Sequence, residues 1–419
     1  MPGKTIAEKI LSRHSGQDAA AGEIVMCSVD RIMMHDANGP LAVRAFHEMG
    51  GTKVFDPDKV VIVFDHCTPP SNEKLSNIHA FLREFAREQG VHFFESGKGV
   101  CHQLMVEKGF VRTGDLIVGS DSHTCTYGAL GAFSTGLGAT DIATAMLTGK
   151  LWFRVPQTIR VELKGELPAM CSAKDVILAT IGRLSAKGGN YKSVEFYGDY
   201  LEASSESQHL TMANMLVEMG AKCGFTCCSG LGIAADPDAV YLDTVEIDLS
   251  ALEPVVAKPH TVDNVCPVSE VEGTVIQQAV LGSCTNGRLE DLQAAAEILR
   301  GKRIHEDVRL LVLPASETIL KEAAADGILA DLIDAGATIC TPGCGVCVGT
   351  LGGVPADGET VISSTNRNFK GRMGNNKARI YLASPETVAV SALAGRITDP
   401  CRLLTMEDWK VNLCCFQLK

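Results

Sequence analysis

The feature that most constrains the fold is a set of short, unbroken apolar runs: VVIVF (60–64), DLIVG (115–119), IQQAVLG (276–282), RLLVL (309–313), TVIS (360–363) and RIYLA (379–383). Runs this short that are apolar throughout, rather than alternating, mark strands buried on both faces, as in parallel sheets covered by helices. Amphipathic segments lie between them. Thr5 and Glu8 form a capping box ahead of Ile6, Ile10 and Leu11, and Gly16 suits the stop. Leu75, Ile78, Leu82 and Phe85 recur on one face over about 72–89, with Gly90 beyond. The expectation is an α/β protein of doubly wound, parallel-rich sheets.

The residues just beyond these strands are equally informative. VVIVF runs into Asp65-His66, DLIVG into SDSHT (120–124), IQQAVLG into SCTNGR (283–288), and TVIS into STNRNFKGR (364–372). Ligands of open α/β sheets bind outside the carboxyl ends of the strands. Four strand ends therefore deliver polar, chemically capable residues to where a ligand is expected.

At 419 residues the chain accommodates two or three domains. Proline-bearing breaks near Val155-Pro156 and across 258–267 divide it into 1–155, 156–265 and 266–419, with no legible internal repeat. A net charge of −12 argues against nucleic acid as a partner but permits an anionic small molecule in a locally basic cleft. The start, MPGKTIAEKI, has no secretory apolar core, and every apolar run is too short to span a bilayer. A cytoplasmic protein with no membrane association is expected. The sixteen cysteines are then reduced thiols, mostly buried, and doublets such as Cys227–Cys228 and Cys414–Cys415 suit a reducing cytoplasm.

The stretch CTPGCGVCVG (340–349) concentrates three of those cysteines among glycines. Its C-x-x-C pair, Cys344 and Cys347, serves zinc ribbons, redox dithiols and iron–sulfur clusters alike. A structural zinc wants a second pair, and a redox dithiol wants the helix start of a thioredoxin-like domain. Counting Cys340 gives a radical-SAM-like spacing, but too little chain remains after it for the barrel. Cys284, at a strand end before an expected helix over 289–300, is a further candidate thiolate. With Cys344 and Cys347 it supplies three sulfurs. Three cysteines holding four irons leave one iron open as a Lewis acid; the bland alternative is three buried thiols.

Arg367 and Arg372 lie in one loop with Asn366 and Asn368, and an arginine fork suits carboxylates. Taken singly, each is as easily a solvated surface residue. Asp65-His66 and Asp121-x-His123 pair a carboxylate with an imidazole, which orients the ring and raises its pKa. His102 is an intermediate case, and His14, His79 and His209 read as structural.

Together, GSDSHT, GSCTNGR, PGCGVCVG and STNRNFKGR, in that order over most of the chain, resemble the aconitase superfamily. HDANGPLA and SDSHTCTYGALGAFSTGLGATD are similar to its isopropylmalate dehydratase branch, in particular the large subunits. The resemblance implies a three-domain α/β arrangement around a [4Fe–4S] cluster with one labile iron, held by Cys284, Cys344 and Cys347, with Cys340 outside the set. It implies acid–base roles for Asp65, His66, His102, Asp121 and His123. It implies substrate contacts from His35, Ser122, Asn366, Arg367 and Arg372.

Two departures from aconitase proper, His35 for glutamine and Lys222 for glutamate, agree with the isopropylmalate branch. The swivelling fourth domain of single-chain aconitases has no counterpart here. The resemblance thus implies a separate small subunit that supplies a catalytic serine and further substrate-binding arginines. The implied activity is a hydro-lyase acting on a di- or tricarboxylate, first 3-isopropylmalate in leucine biosynthesis. Homoaconitate, citraconate/2-methylmalate and 2,3-dimethylmalate are the alternatives.

Overall fold

The computed structural model describes residues 3–405; Cys414, Cys415 and the rest of the tail lie outside that range. The chain enters through the helix Ile6–Ser15, whose capping box joins Thr5 and Glu8 and whose end is Gly16 in the left-handed region. Then come β1 (Ile24–Ser28), β2 (Arg31–His35), β3 (Val60–Val63), β4 (His92–Phe94), β5 (Leu116–Gly119), β6 (Phe133–Gly136) and β7 (Lys150–Arg154). β1 and β7 pair antiparallel as a ribbon. The other five form a parallel sheet ordered β4-β3-β2-β5-β6. The helix over Glu73–Gln89 starts at Asn72 and stops at Gly90, as its apolar face and caps require.

The burial of this sheet shows why its runs are continuous. Ile32, Met34, Val60 and Ile62 pack on one face against Val43, Phe46, Leu82 and Phe85 of the covering helices. Met33, Val61, Val63 and Ile117 pack on the other, against Leu104, Met105 and Tyr127. Successive side chains point to opposite faces and both faces are dry, so every position is apolar. Each fully buried aliphatic side chain contributes roughly 1.5–3 kcal/mol.

The next four strands, β8 (Thr158–Lys164), β9 (Ser193–Tyr197), β10 (Cys223–Thr226) and β11 (Asp243–Asp248), form a parallel sheet ordered β10-β9-β8-β11. The last sheet holds β12 (Val255–Ala257), β13 (Val265–Pro267), β14 (Gln278–Gly282), β15 (Arg309–Leu313), β16 (Thr338–Ile339), β17 (Thr360–Ser363) and β18 (Arg379–Leu382). Its order is β13-β12-β18-β17-β14-β15-β16, parallel except at β12 and β13. Thus β12, which a division at residue 265 leaves in the second unit, pairs within the third sheet. Val280, Val361 and Leu382 face the second sheet's core, while Ala279, Leu281 and Ile362 face the helices on the other side.

The five-stranded sheet and the parallel part of the last one share a strand order, 3-2-1-4-5 in local numbering. In each, the first strand is central and the chain reverses its direction of growth beside it. That is the switch point where crevices open. In the first sheet it lies between β2 and β5, and in the last between β14 and β17. Sequence comparison of the two halves reveals no repeat because only the topology recurs.

At the second switch point the backbone turns sharply. Gly282 has φ +127° and Ser283, though not a glycine, has φ +66°. This turn throws Cys284 into the short helix Ser283–Asn286. A Cβ on Gly282 would lie 2.1 Å from the Leu313 carbonyl oxygen. Gly282→Ala is therefore expected to lower stability by about 2 kcal/mol or more, read as a reduced urea midpoint, whereas Gly273→Ala, with open space around it, should lose less.

Candidate active site

The two switch points face each other, and Asp65 joins them. Its carboxylate lies 2.7 Å from His66 Nδ1 and accepts from the Cys101 amide at 2.7 Å. Its carbonyl accepts from the Cys344 amide at 2.7 Å. Gly343 makes the contact possible, since a Cβ there would stand 2.8 Å from the Asp65 carbonyl oxygen. The glycines of the cysteine loop thus admit backbone to backbone.

Beneath this link, Asp36, at the end of β2, accepts from the amides of Asp65 (3.2 Å), His66 (2.9 Å) and Cys67 (2.7 Å). His79 closes the set at 3.0 Å. Burial alone would raise the Asp36 pKa, but the His79 hydrogen bond and the His66 charge hold it at about 2. His35, Asp36, Asp65 and His66 bring four donor atoms within 4.8 Å of one another. Asp36 is nevertheless fully engaged with its amides and His79, so these four form a hydrogen-bonded brace rather than a cation site.

Asp121, after β5, organises the imidazoles. His102 Nε2 lies 2.7 Å from Oδ1, His66 Nε2 3.5 Å from Oδ2, and His35 Nε2 3.8 Å from Oδ2. The His123 amide also donates to Oδ1 at 2.8 Å. Burial opposes the Asp121 charge, but hydrogen bonds from His102, His123 and His66 outweigh it and hold its pKa well below the usual range. For His66, burial likewise opposes the charged form, while Asp65 and Asp121 overcome it and raise the pKa well above the ordinary value. His35 stacks on His66 with ring centroids 3.8 Å apart. Burial and the neighbouring His66 charge push His35 down to about 4. The stacked pair is thus one imidazolium and one neutral imidazole at neutral pH. The Ala37 amide donates to His35 Nδ1, leaving Nε2 without a hydrogen-bond partner among the described residues.

Across the crevice, Cys284, Cys344 and Cys347 are all buried. Asn214 and Asn366 aim Nδ2 at Cys284 Sγ from 3.4 and 3.3 Å. Arg372 Nη2 reaches Cys347 Sγ at 3.2 Å, and its buried Nε has no hydrogen-bond partner among the described residues. Amide and guanidinium donors aimed at sulfur stabilise thiolates, so this donor set fits an iron–sulfur cluster on Cys284, Cys344 and Cys347. Cys340 stands apart, half-buried, with its sulfur 3.9 Å from the Thr338 carbonyl oxygen.

His66, His102, Asp121, His123, Cys284, Cys344, Asn366, Arg367 and Arg372 line a small inner cavity. A larger one of about 570 Å³ opens outward past His35, His66, Asp121, Ser122, Arg367, Arg372, Tyr191 and Lys222. The site residues expected from the sequence are thus gathered around one crevice, with two shades of difference. Asn366, expected at the substrate, lies on the inner cavity with its amide on sulfur. Arg372 is turned toward Cys347.

Sequence reasoning missed Asp36, Asn214 and Glu218, of which Glu218 carries the most charge chemistry. Glu218 lies 2.9 Å from His123 Nε2 and accepts from Arg367 Nε at 2.6 Å. Burial would raise its pKa, but His123 and Arg367 lower it. It sits in MLVEM (215–219), an apolar stretch whose one charge was the only signal.

With this geometry in hand, comparison with known proteins is decisive. The family model described as "Aconitase family (aconitate hydratase)" matches residues 8–231 and 227–395. This chain belongs to the aconitase family. The 3-isopropylmalate dehydratase large subunit 1 of Methanopyrus kandleri is 50% identical over 413 residues, covering 95% of this chain and 99% of that protein. The probable methanogen homoaconitase large subunit of Methanothermobacter thermautotrophicus is 48% identical over 415 residues, covering 94% and 97%. The crystal structure of Thermococcus kodakaraensis aconitase X, in its holo-form, superposes with a TM-score of 0.52 at 14% identity, covering 88% and 91%. The parallel-rich α/β fold is aconitase-like. Among the described residues of this family member, no helix is long and apolar enough to cross a membrane.

The His66 shift has a measurable consequence. A folded pKa above the unfolded 6.5 adds stability that is complete below pH 6.5 and is lost as pH rises through the folded value. The stability difference between wild type and His66→Gln should therefore be largest below pH 6.5 and shrink at alkaline pH, as measured by urea unfolding across pH. A pH-independent difference would contradict the assignment.

Proposed function

We propose that this chain is the cluster-bearing large subunit of a hydro-lyase that dehydrates a substituted malate, with 3-isopropylmalate the favoured substrate. The observation that carries this reading is the meeting of two switch points, one presenting three buried cysteines and the other a carboxylate-held imidazolium. Cys284, Cys344 and Cys347 would hold a [4Fe–4S] cluster. Such a cluster, with one iron free of protein ligands, supplies Lewis acidity toward a hydroxyl and a carboxylate.

The chain's own residues do the rest of its share. Arg367 and Arg372 line both cavities and offer guanidinium groups, whose planar forks suit carboxylates. His66, kept protonated by Asp65 and Asp121, is the proton donor to the leaving hydroxyl. Neutral His35 orients the substrate with Nε2, Ser122 contributes a hydroxyl, and Glu218 fixes His123 and Arg367 against each other. His102 holds Asp121 in place. Removal of a proton from carbon is assigned to the serine of a separate small subunit, which also adds substrate-binding arginines. Cytoplasmic residence accords with such a biosynthetic role. We also propose the three-unit division 1–155, 156–265 and 266–419, supported by three separate parallel-rich sheets, with β12 grouped by pairing into the last.

A homoaconitate-type substrate is the second reading, supported by Lys222 on the wall of the outer cavity, where a cation suits a third carboxylate. A substrate panel assayed with the small subunit separates the two.

Anaerobic reconstitution should load about four irons per chain. Cys344→Ser should abolish loading and Cys340→Ser should leave it intact, judged by iron analysis and visible absorption; stoichiometric zinc without cluster absorption would refute the cluster. The purified chain alone should not turn over 3-isopropylmalate, and activity should emerge on adding the small subunit. Full turnover by the lone chain would overturn the division of labour.

A further inference from the structure

One buried cation has no role in the chemistry above. Lys174 stands near the start of the helix Ala173–Leu184, capped by Ser172 and Asp175. Its side chain is fully buried. A cation there opposes the helix dipole, which favours negative charge at an N-terminus. Burying it is costly unless it is compensated. Its ammonium donates to Asn286 Oδ1 (3.2 Å), the Ser364 carbonyl (2.5 Å) and the Thr365 carbonyl (2.8 Å). Three acceptors match the three hydrogens of a protonated amine. All are neutral oxygens, and no carboxylate closes an ion pair with it among the described residues.

These acceptors belong to two loops. Asn286 lies two residues after Cys284, and Ser364 and Thr365 immediately precede Asn366 and Arg367. The loops are already tied once on the crevice side, where Asn366 meets Cys284 Sγ, and once through the Gly282 amide on Ser364 Oγ at 2.9 Å. Lys174 ties them again from behind. Asp291, Asp175, Cys347 and Cys284 are the negative or ionisable groups close enough to act on its charge. Arg288 is a second buried cation on the same loop, donating to the carbonyls of Cys284 (2.9 Å) and Thr285 (2.7 Å).

We propose that Lys174 is a positioning residue that locks the Cys284 loop to the Asn366–Arg367 loop and adds a buried positive charge, alongside Arg288 and Arg372, that balances the anionic three-thiolate cluster site. The inference rests on the cluster reading above. Burial pulls its pKa to about 7, and the negative groups around it oppose that shift.

The test is a dithionite titration of the full chain, reconstituted anaerobically and monitored by electron paramagnetic resonance, alongside iron loss to a chelator. Losing a buried positive charge disfavours the reduced cluster. Lys174→Met should shift the reduction equilibrium at least tenfold toward the oxidised form, about 59 mV for one electron, whereas Lys174→Arg should stay within about threefold of wild type. Iron loss should be faster in Lys174→Met. If Lys174→Met does not fold, Lys174→Gln, which keeps two donors but no charge, carries the same expectation. A neutral variant that unfolds more easily yet keeps the wild-type potential and iron retention would reduce Lys174 to ordinary scaffold and overturn the proposal. Wild-type chain that binds no reducible cluster would instead overturn the cluster reading on which the proposal rests.

Discussion

The site depends on the hydrogen bond from the Cys344 amide to the Asp65 carbonyl, 2.7 Å long and wholly buried. Asp65 lies two residues beyond the end of β3, and it faces three ways. Its carboxylate orients His66, its second oxygen anchors the helix that carries His102, and its carbonyl receives the cysteine loop. A displacement of Cys344 would thus be transmitted to His66 through a single residue. Three amides on Asp36 prevent the strand end from relaxing. Such supporting partners decide whether a constellation holds its geometry or merely contains the right residue types.

Charge is set by this arrangement. Asp121 can remain ionised while buried because donors surround it; Asp65 and Asp121 in turn keep His66 charged, and burial beside that charge leaves the stacked His35 neutral. Two identical side chains in ring contact therefore have opposite protonation, set by which one Asp65 holds. Neighbouring groups whose environments drive their pKa values apart are how one fold obtains a donor and an acceptor at one pH.

Much of this was legible in the sequence because the relevant signals are local. Continuous apolar runs reported strands dry on both faces, and the residues just beyond four of them were the chemically capable ones. The spacing of Cys344 and Cys347 marked them as candidates, but left zinc, a redox dithiol and a cluster all open. The less visible partners act at a distance. Glu218 meets His123 and Arg367 from residues 95 and 149 positions away, and nothing in MLVEM reports those contacts. Lys174 looks like an ordinary exposed lysine early in a helix; only the fold shows it buried. β11, with its exposed edge pattern, offered no continuous run to read. The matching strand order of the first and last sheets is a property of pairing, which composition does not encode.

The matching order also bears on how such a site is assembled. One switch point collects carboxylate and imidazole side chains from beyond β2, β3 and β5, and the other collects Cys284 from beyond β14, Cys344 and Cys347 from beyond β16, and amide and guanidinium groups from beyond β17. Neither sheet alone holds both kinds of group. Cys284 packs among Met33, Val61 and Tyr127 of the first sheet's core although its chain position belongs to the last sheet. The apolar contact that seals the two sheets is therefore also the contact that buries a candidate ligand. Loosening that seam would hydrate the Cys284 sulfur and the His66 imidazolium together.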